Sequence, residues 1–329
     1  MASANKIWDA IIVGGGIAGL SAAIYLGRAL RKTLVIDAER SLARWEPEVH
    51  NYLGFPEGID GRELLRRGRK QAEQFHVSFA KDEIEKAAND ESGFWLRGKN
   101  EEYRCHRLLL ATGLFHLPPK LPRVTECLGH TMFFCKDCDG WRVKGKRIAI
   151  IGNNNEAVEY ALGMMFYSPC VVIATNGERP HWDEQHAAWL EEYKISFFTG
   201  KIMEVCGEDK EISELHFESG QAVLADALFT THGDIFHNDL AKELGAELDS
   251  EGQVEVDSCM KTNVQGLYAA GCVTPANCQM IIAAGQGAAA AQAINRDIFA
   301  ESLATHKLRR FREGQLQNEE TEPEMVSKI

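Results

Sequence analysis

Short apolar runs alternate with helix-period segments along most of the chain. Residues 9–13, Asp-Ala-Ile-Ile-Val, form a β-rich run that meets a glycine turn, a helix-forming stretch over 20–30 and a second strand, Leu34-Val35-Ile36-Asp37. The same order returns with Ile148-Ala149-Ile150-Ile151, a helix over 156–166 and a strand over 171–174. Two strand–turn–helix–strand units predict an α/β chain of two three-layer, Rossmann-like nucleotide-binding domains. Further strands are predicted over 77–79, 94–97, 107–111 and 254–256, another entering a glycine turn within 262–271, and helices over 62–75 and 281–298. The Gly- and Pro-rich residues 49–61 read as a long loop, and Leu117-Pro118-Pro119-Lys120-Leu121-Pro122 as a linker. Residues 1–117 with 247–312 then form one discontinuous domain and 118–246 the second. The charged stretch from 309 onward, 313–329 above all, reads as a frayed or flexible tail.

The first turn, Gly14-Gly15-Gly16-Ile17-Ala18-Gly19, has the spacing that lets a backbone close tightly, approach a pyrophosphate and pack a helix on a strand. Asp37 ends the next strand near the separation at which an acid bonds ribose hydroxyls, so this unit is expected to bind a dinucleotide. The second turn, Gly152-Asn153-Asn154-Asn155-Glu156-Ala157, keeps only the first glycine, and side chains at Asn153 and Asn154 would crowd a pyrophosphate. Its strand end, Ala174-Thr175-Asn176-Gly177, offers neither a ribose-binding acid nor a basic cluster for a 2′-phosphate. Trp182, His186, Trp189 and Tyr193 follow at helical spacings, read as core packing with ring stacking on a ligand as the alternative.

Between the units stand Cys135 and Cys138, three positions apart and followed by Asp139. Such a pair can close as a disulfide and act as a two-electron switch, and the adjacent carboxylate can move the proton a thiolate needs. Half a zinc site is the competing reading, but no second Cys or His pair stands at ligand spacing, and no metal is expected. Of nine cysteines, only these two read as a working pair.

Composition narrows the field little. The 329 residues, 45% hydrophobic and 26% charged, are ordinary for a globular chain, and the net charge of −12 argues against nucleic-acid or anionic-membrane binding. No apolar run is long enough to span a bilayer and no signal-peptide pattern precedes the first strand, so a cytoplasmic location is expected.

Taken together, the first glycine turn, the Asn51-Tyr52-Leu53-Gly54-Phe55-Pro56 loop, Ala111-Thr112-Gly113, the Cys135/Cys138-Asp139-Gly140 stretch and Gly266-Leu267-Tyr268-Ala269-Ala270-Gly271 resemble the low-molecular-weight thioredoxin reductase family, two-domain flavoproteins, over residues 9–296. The resemblance implies a thioredoxin reductase-like fold with FAD held by Gly14, Gly16, Ala18, Gly19, Asp37, Asn51, Val77, Ala111, Thr112, Gly113, Gly271, Cys272, Gln279 and Met280. It further implies that Cys138 faces the flavin, that Cys135 attacks the external disulfide, and that Asp139 is the acid/base. Two departures are Cys272, where the family has an aspartate, and Cys278, where it has an arginine. The Asn-rich second turn is a third, and it is similar to the pyridine-nucleotide-independent branch, which includes ferredoxin-dependent flavin thioredoxin reductases and cyanobacterial diflavin-linked disulfide oxidoreductases. The expectation is a homodimeric FAD-dependent dithiol/disulfide oxidoreductase that takes electrons from ferredoxin or another donor rather than NADPH. Its substrate would be a thioredoxin-like protein or a small disulfide, and a second FAD or other nucleotide is a further expectation near Asn153 and Asn154. Competing expectations are a dithiol oxidase passing electrons to oxygen, in which histidine tends to replace Asp139, and a flavin-binding redox sensor.

Overall fold

The computed structural model describes residues 6–312. The chain opens with β1 (Ile7–Val13), α1 (Ile17–Arg28) and β2 (Thr33–Asp37), then α2 (Gly61–Glu73), β3 (Ser78–Lys81), β4 (Ile84–Asp90), β5 (Gly93–Gly98) and β6 (Glu102–Leu110). These strands form a sheet in the order β3-β2-β1-β6-β5-β4, parallel from β3 to β6 and antiparallel beyond. Alternate residues of β1 serve the two faces: Ile11 and Val13 pack into one core, Ala10 and Ile12 into the other.

A second unit follows, with β7 (Leu114–His116), α3 (Val124–Cys127), β8 (Met132–Phe133), α4 (Lys136–Asp139), β9 (Ile148–Ile151), α5 (Asn155–Met164), β10 (Val171–Ala174), α6 (Glu184–Glu192) and β11 (Ser196–Phe198). It continues through β12 (Ile202–Cys206), β13 (Glu214–Phe217), β14 (Ala222–Leu224), β15 (Ala227–Thr230) and β16 (Asp234–Phe236). Its parallel sheet runs β11-β10-β9-β15-β8, beside a three-stranded sheet β12-β13-β14. The chain then completes the first sheet with α7 (Asp239–Glu243), β17 (Leu267–Ala269), which pairs with β6, and α8 (Met280–Ala304). α8 packs on α1 through small residues; a Cβ on Gly287 would lie 2.1 Å from the Ala18 carbonyl oxygen.

The α/β class and both Rossmann-like units are as expected, with several differences in detail. The first compact unit holds the described residues up to Ser41, Leu65–Gly113 and those from His237 onward; the second holds Leu42–Leu64 and Leu114–Phe236. By compactness the border read at 117 falls after Gly113 and the one read at 246 after Phe236, and residues 42–64 group with the second unit. They pack in the second unit, where a Cβ on Gly129 would meet Pro47 Cδ at 2.8 Å. Just before the proline stretch, which itself forms no helix or strand, β7 pairs antiparallel with β16, a match between distant residues that no local pattern announces. Val254 makes an isolated bridge to Leu248 instead of a strand, and the polar β4 escaped the apolar pattern altogether. Residues 309–312, read as the start of the tail, are helical; 313–329 lie outside the described residues. No helix among the described residues is long and apolar enough to cross a membrane.

Candidate functional site

In the first unit β1 ends at Val13 and the chain turns through Gly14 at φ +111°, a conformation that favours glycine. A Cβ there would lie 2.2 Å from the Ala111 carbonyl oxygen, and one on Gly19 would lie 1.9 Å from that of Gly14. Gly16 is the N-cap of α1 and makes no side-chain cap hydrogen bond, so no local side chain occupies the helix's leading N–H groups. That arrangement receives phosphate oxygens. Asp37, at the end of β2, would be 2.4 Å from a Cβ on Gly15. Gly271, at φ +83°, brings the chain after β17 to within 3.0 Å of Ala18 Cβ, measured from its own ideal Cβ. The N-terminus of α8, which has Gln279 at its N-cap and starts at Met280, completes a cradle whose bare glycine backbone and strand-end carboxylate fit a dinucleotide.

Ala111 donates its N–H to Val13 O at 2.9 Å, and Thr112 and Gly113 are tied to His237, Thr112 Oγ1 donating to its carbonyl at 2.7 Å and Gly113 O accepting its N–H at 3.0 Å. Val77 is buried against α1, its Cγ2 2.8 Å from an ideal Cβ on Gly27, so its side chain is a core group. Asn51 lies in the second unit, next to His50, whose ring meets Trp141 edge-on at 5.0 Å.

The second unit carries the Cys135–Cys138 disulfide, Cα atoms 5.3 Å apart. Cys135 is the N-cap of α4 and its Sγ accepts the Cys138 N–H at 3.1 Å. A thiolate on Cys135 keeps that donor, which favours the charged form. Tyr160 holds the backbone before the pair, donating to Phe134 O at 2.7 Å and accepting the Lys136 N–H at 2.5 Å, while Trp141 Nε1 donates to Cys138 O at 3.0 Å.

Burial pushes the Asp139 carboxyl above the usual carboxylate range, against the Arg142 guanidinium that donates to it at 3.2 Å. Glu46 belongs to the same electrostatic group. Its burial, and then the charge of Asp139, push its carboxyl from 4.5 to about 7, with Arg142 and His116 opposing. Two carboxyl groups that feel each other's charge, both held above the usual carboxylate range, thus stand in the unit that carries the disulfide. Of Asp139, Arg142 and Glu46, the sequence singles out Asp139 alone; Arg142 lies three residues on, while nothing along the chain links Glu46 to Asp139.

At the second turn, Asn154 caps α5 with its own Oδ1, which accepts the Ala157 N–H at 3.1 Å. Asn153 donates from Nδ2 to Arg179 O at 3.1 Å and accepts the His181 N–H on its carbonyl at 2.6 Å. Asn155 bonds Asp183 twice, at 2.9 Å each. At the end of β10, Thr175 Oγ1 donates to Glu178 O at 2.6 Å. At α5 a side chain of the protein thus takes a leading helix N–H, which the glycine at the start of α1 cannot do. Three of the following aromatics pair within the protein, Trp182 meeting Phe197 edge-on at 5.1 Å and His186 meeting Trp189 at 4.9 Å, whereas Tyr193, read with them as core, is exposed.

One cysteine expectation is corrected. Cys135 and Cys138 are not the sole pair, because Cys272 and Cys278 form a second disulfide with Cα atoms 5.0 Å apart. The left-handed Gly271 and the Thr274 hydroxyl, donating to Gly271 O at 2.8 Å, fold the intervening loop back on itself.

The sequence matches the family described as pyridine nucleotide-disulphide oxidoreductase over residues 8–293. A thioredoxin reductase of Coxiella burnetii is 31% identical over 299 residues, covering 85% of this chain and 93% of that protein. The NADPH-dependent thioredoxin reductase 3 of Arabidopsis thaliana is 27% identical, over 90% of this chain and 59% of its own. The thioredoxin reductase structure from Streptococcus pyogenes superposes with a TM-score of 0.84 over 90% of this chain and all of that one, at 22% identity, a likeness of fold. With its glycine cradle and its thiol pair in place, the chain belongs to the pyridine nucleotide-disulphide oxidoreductases, among their thioredoxin reductase-like flavoprotein disulfide reductases.

Proposed function

We propose that this chain is an FAD-dependent dithiol/disulfide oxidoreductase that works without NADPH, as a homodimer, drawing electrons from ferredoxin or another donor and delivering them to a thioredoxin-like or small disulfide. The observation that carries the donor assignment is the Asn154 side chain on the Ala157 N–H, with Asn153 and Asn155 tied to residues 179–183. A pyrophosphate at that turn would have to displace these bonds, and no acid at the strand end would hold its ribose.

Gly14, Gly16, Ala18, Gly19 and Asp37 would hold the dinucleotide part of FAD, with Ala111, Thr112, Gly113, Gly271, Cys272, Gln279 and Met280 lining the same unit; Asn51 and Val77 enter through the family resemblance. The bound flavin supplies the two-electron exchange that converts the Cys135–Cys138 disulfide to a dithiol. From the dithiol, the Cys135 thiolate attacks one sulfur of the substrate disulfide. That bond breaks, a mixed disulfide forms on Cys135, and the leaving thiolate takes the proton held by Asp139. Cys138 then attacks Cys135 Sγ, restoring the internal disulfide and releasing the second substrate thiol.

Steady-state reduction of a disulfide substrate by the purified holoprotein, driven in turn by reduced ferredoxin and by NADPH, tests the reading. Turnover with ferredoxin that is lost in Cys138→Ser, with flavin content kept, is the expected result. Turnover with NADPH at a comparable rate refutes the donor assignment.

A further inference from the structure

We infer that Cys272–Cys278 is a second redox-active couple, one that exchanges with small dithiols and is separate from the Cys135–Cys138 pair. The loop it closes is short, six positions from one cysteine to the other, and a short ring withdraws less chain entropy from the unfolded state than a long one. The fold already holds this loop by other means. Gly271 N–H donates to Gln286 Oε1 at 2.8 Å, Thr274 Oγ1 donates to Gly271 O at 2.8 Å, and Gln253 Nε2 donates to Thr274 O at 3.2 Å. A crosslink adds little stability to a loop so tethered.

Access and electrostatics favour exchange. Both cysteines are partly exposed, whereas Cys105 is buried among apolar groups with its thiol pushed up to about 12. Cys278 directly precedes Gln279, the N-cap of the 25-residue α8, which has no acid in its first turn. Cys278 stands one position before that N-cap, where the helix dipole favours a thiolate over one at Cys272, making Cys278 the leaving group. An incoming thiolate of the dithiol therefore attacks Cys272 Sγ. The Cys272–Cys278 bond breaks, Cys278 leaves as a thiolate, and the dithiol's second sulfur then attacks its own mixed disulfide to release Cys272. Two electrons pass from the dithiol, which becomes a cyclic disulfide, to the protein; its two protons end on Cys272 and Cys278 or in solvent.

The test uses the flavin-loaded full chain carrying Cys135→Ser and Cys138→Ser, so that this pair is the sole disulfide under study. The protein is equilibrated natively in graded dithiothreitol redox buffers, thiols are trapped by alkylation, and the sites are mapped by peptide mass. The expected result is one reversible transition in which Cys272 and Cys278 become alkylated together. Thiols already free in the oxidised protein, or a bond that survives excess dithiothreitol until denaturation, overturn the inference. Direction is tested by single variants: the thiol left in Cys272→Ser should alkylate about 10-fold faster at neutral pH than the one left in Cys278→Ser, and equal or inverted rates overturn the assigned leaving group. Substrate turnover lost in the double-serine background bears on the proposed catalytic pair and leaves this readout untouched.

Discussion

Gly16 and Asn154 hold the same place in two copies of one unit, each an extended N-cap residue between a buried parallel strand and a helix, at φ −75° and −117°. Their backbones agree and their side chains do not. Glycine leaves the N-terminus of α1 without a side-chain cap, whereas the Asn154 side-chain Oδ1 takes the Ala157 N–H. The lesson is that a Rossmann-like fold can retain its topology while one capping residue turns the helix's donors inward. The second unit instead carries the Cys135–Cys138 disulfide and the carboxyl groups of Asp139 and Glu46.

The comparison is broken most severely by making the first turn like the second. Gly16→Asn asks only that the Ser41 side chain give way by a few tenths of an ångström, since an ideal Cβ at Gly16 lies 3.3 Å from its nearest neighbour, Ser41 Oγ. It should fold, cap α1 and bind FAD roughly 100-fold more weakly, as expected for losing one or two charge-assisted hydrogen bonds to phosphate; flavin retention on dilution measures it. Asp139→Asn should keep flavin but slow disulfide reduction by about 100-fold, the scale of a lost acid/base group, read from kcat.

A smaller effect should separate Glu46 from Asp139. Because folding raises the Glu46 carboxyl from 4.5 to about 7, the folded state binds the extra proton in that window and loses stability as pH rises through it. Glu46→Gln should therefore gain roughly 1–3 kcal/mol over wild type at pH 8 relative to pH 4, by chemical denaturation. It should also remove an inflection near pH 7 from the rate profile, since below that pH Glu46 is neutral and above it an anion faces Asp139. The smallest change is Asn154→Gly, expected to cost a few tenths of a kcal/mol and to leave NADPH unused, because Asn153 and Asn155 stay bonded to residues 179–183. NADPH titration followed by calorimetry checks it.

Much of this contrast was legible in the sequence because it rests on local spacing. In each unit the turn, the helix after it and the strand end lie close along the chain, from 14 to 37 in the first and from 152 to 175 in the second. What escaped depended on long-range packing. Residues 42–64 look like a loop of the first domain, yet they place Glu46 in the electrostatic field of Asp139. The Cys272–Cys278 bond was obscured for a different reason, since its closure depends on a left-handed glycine and a side chain–backbone bond rather than on a recurrent thiol spacing. The polar β4, with one buried residue in seven, gave no periodic signal of its place at the sheet edge.

The central claim, that the second turn does not accept NADPH, is tested most directly by anaerobic stopped-flow absorbance of the flavin in the wild-type holoprotein after mixing with NADPH. The account predicts no bleaching on the timescale of turnover, with rapid bleaching when reduced ferredoxin is supplied instead. Fast, saturable bleaching by NADPH would contradict it and show that a nucleotide displaces the asparagine bonds at residues 153–155.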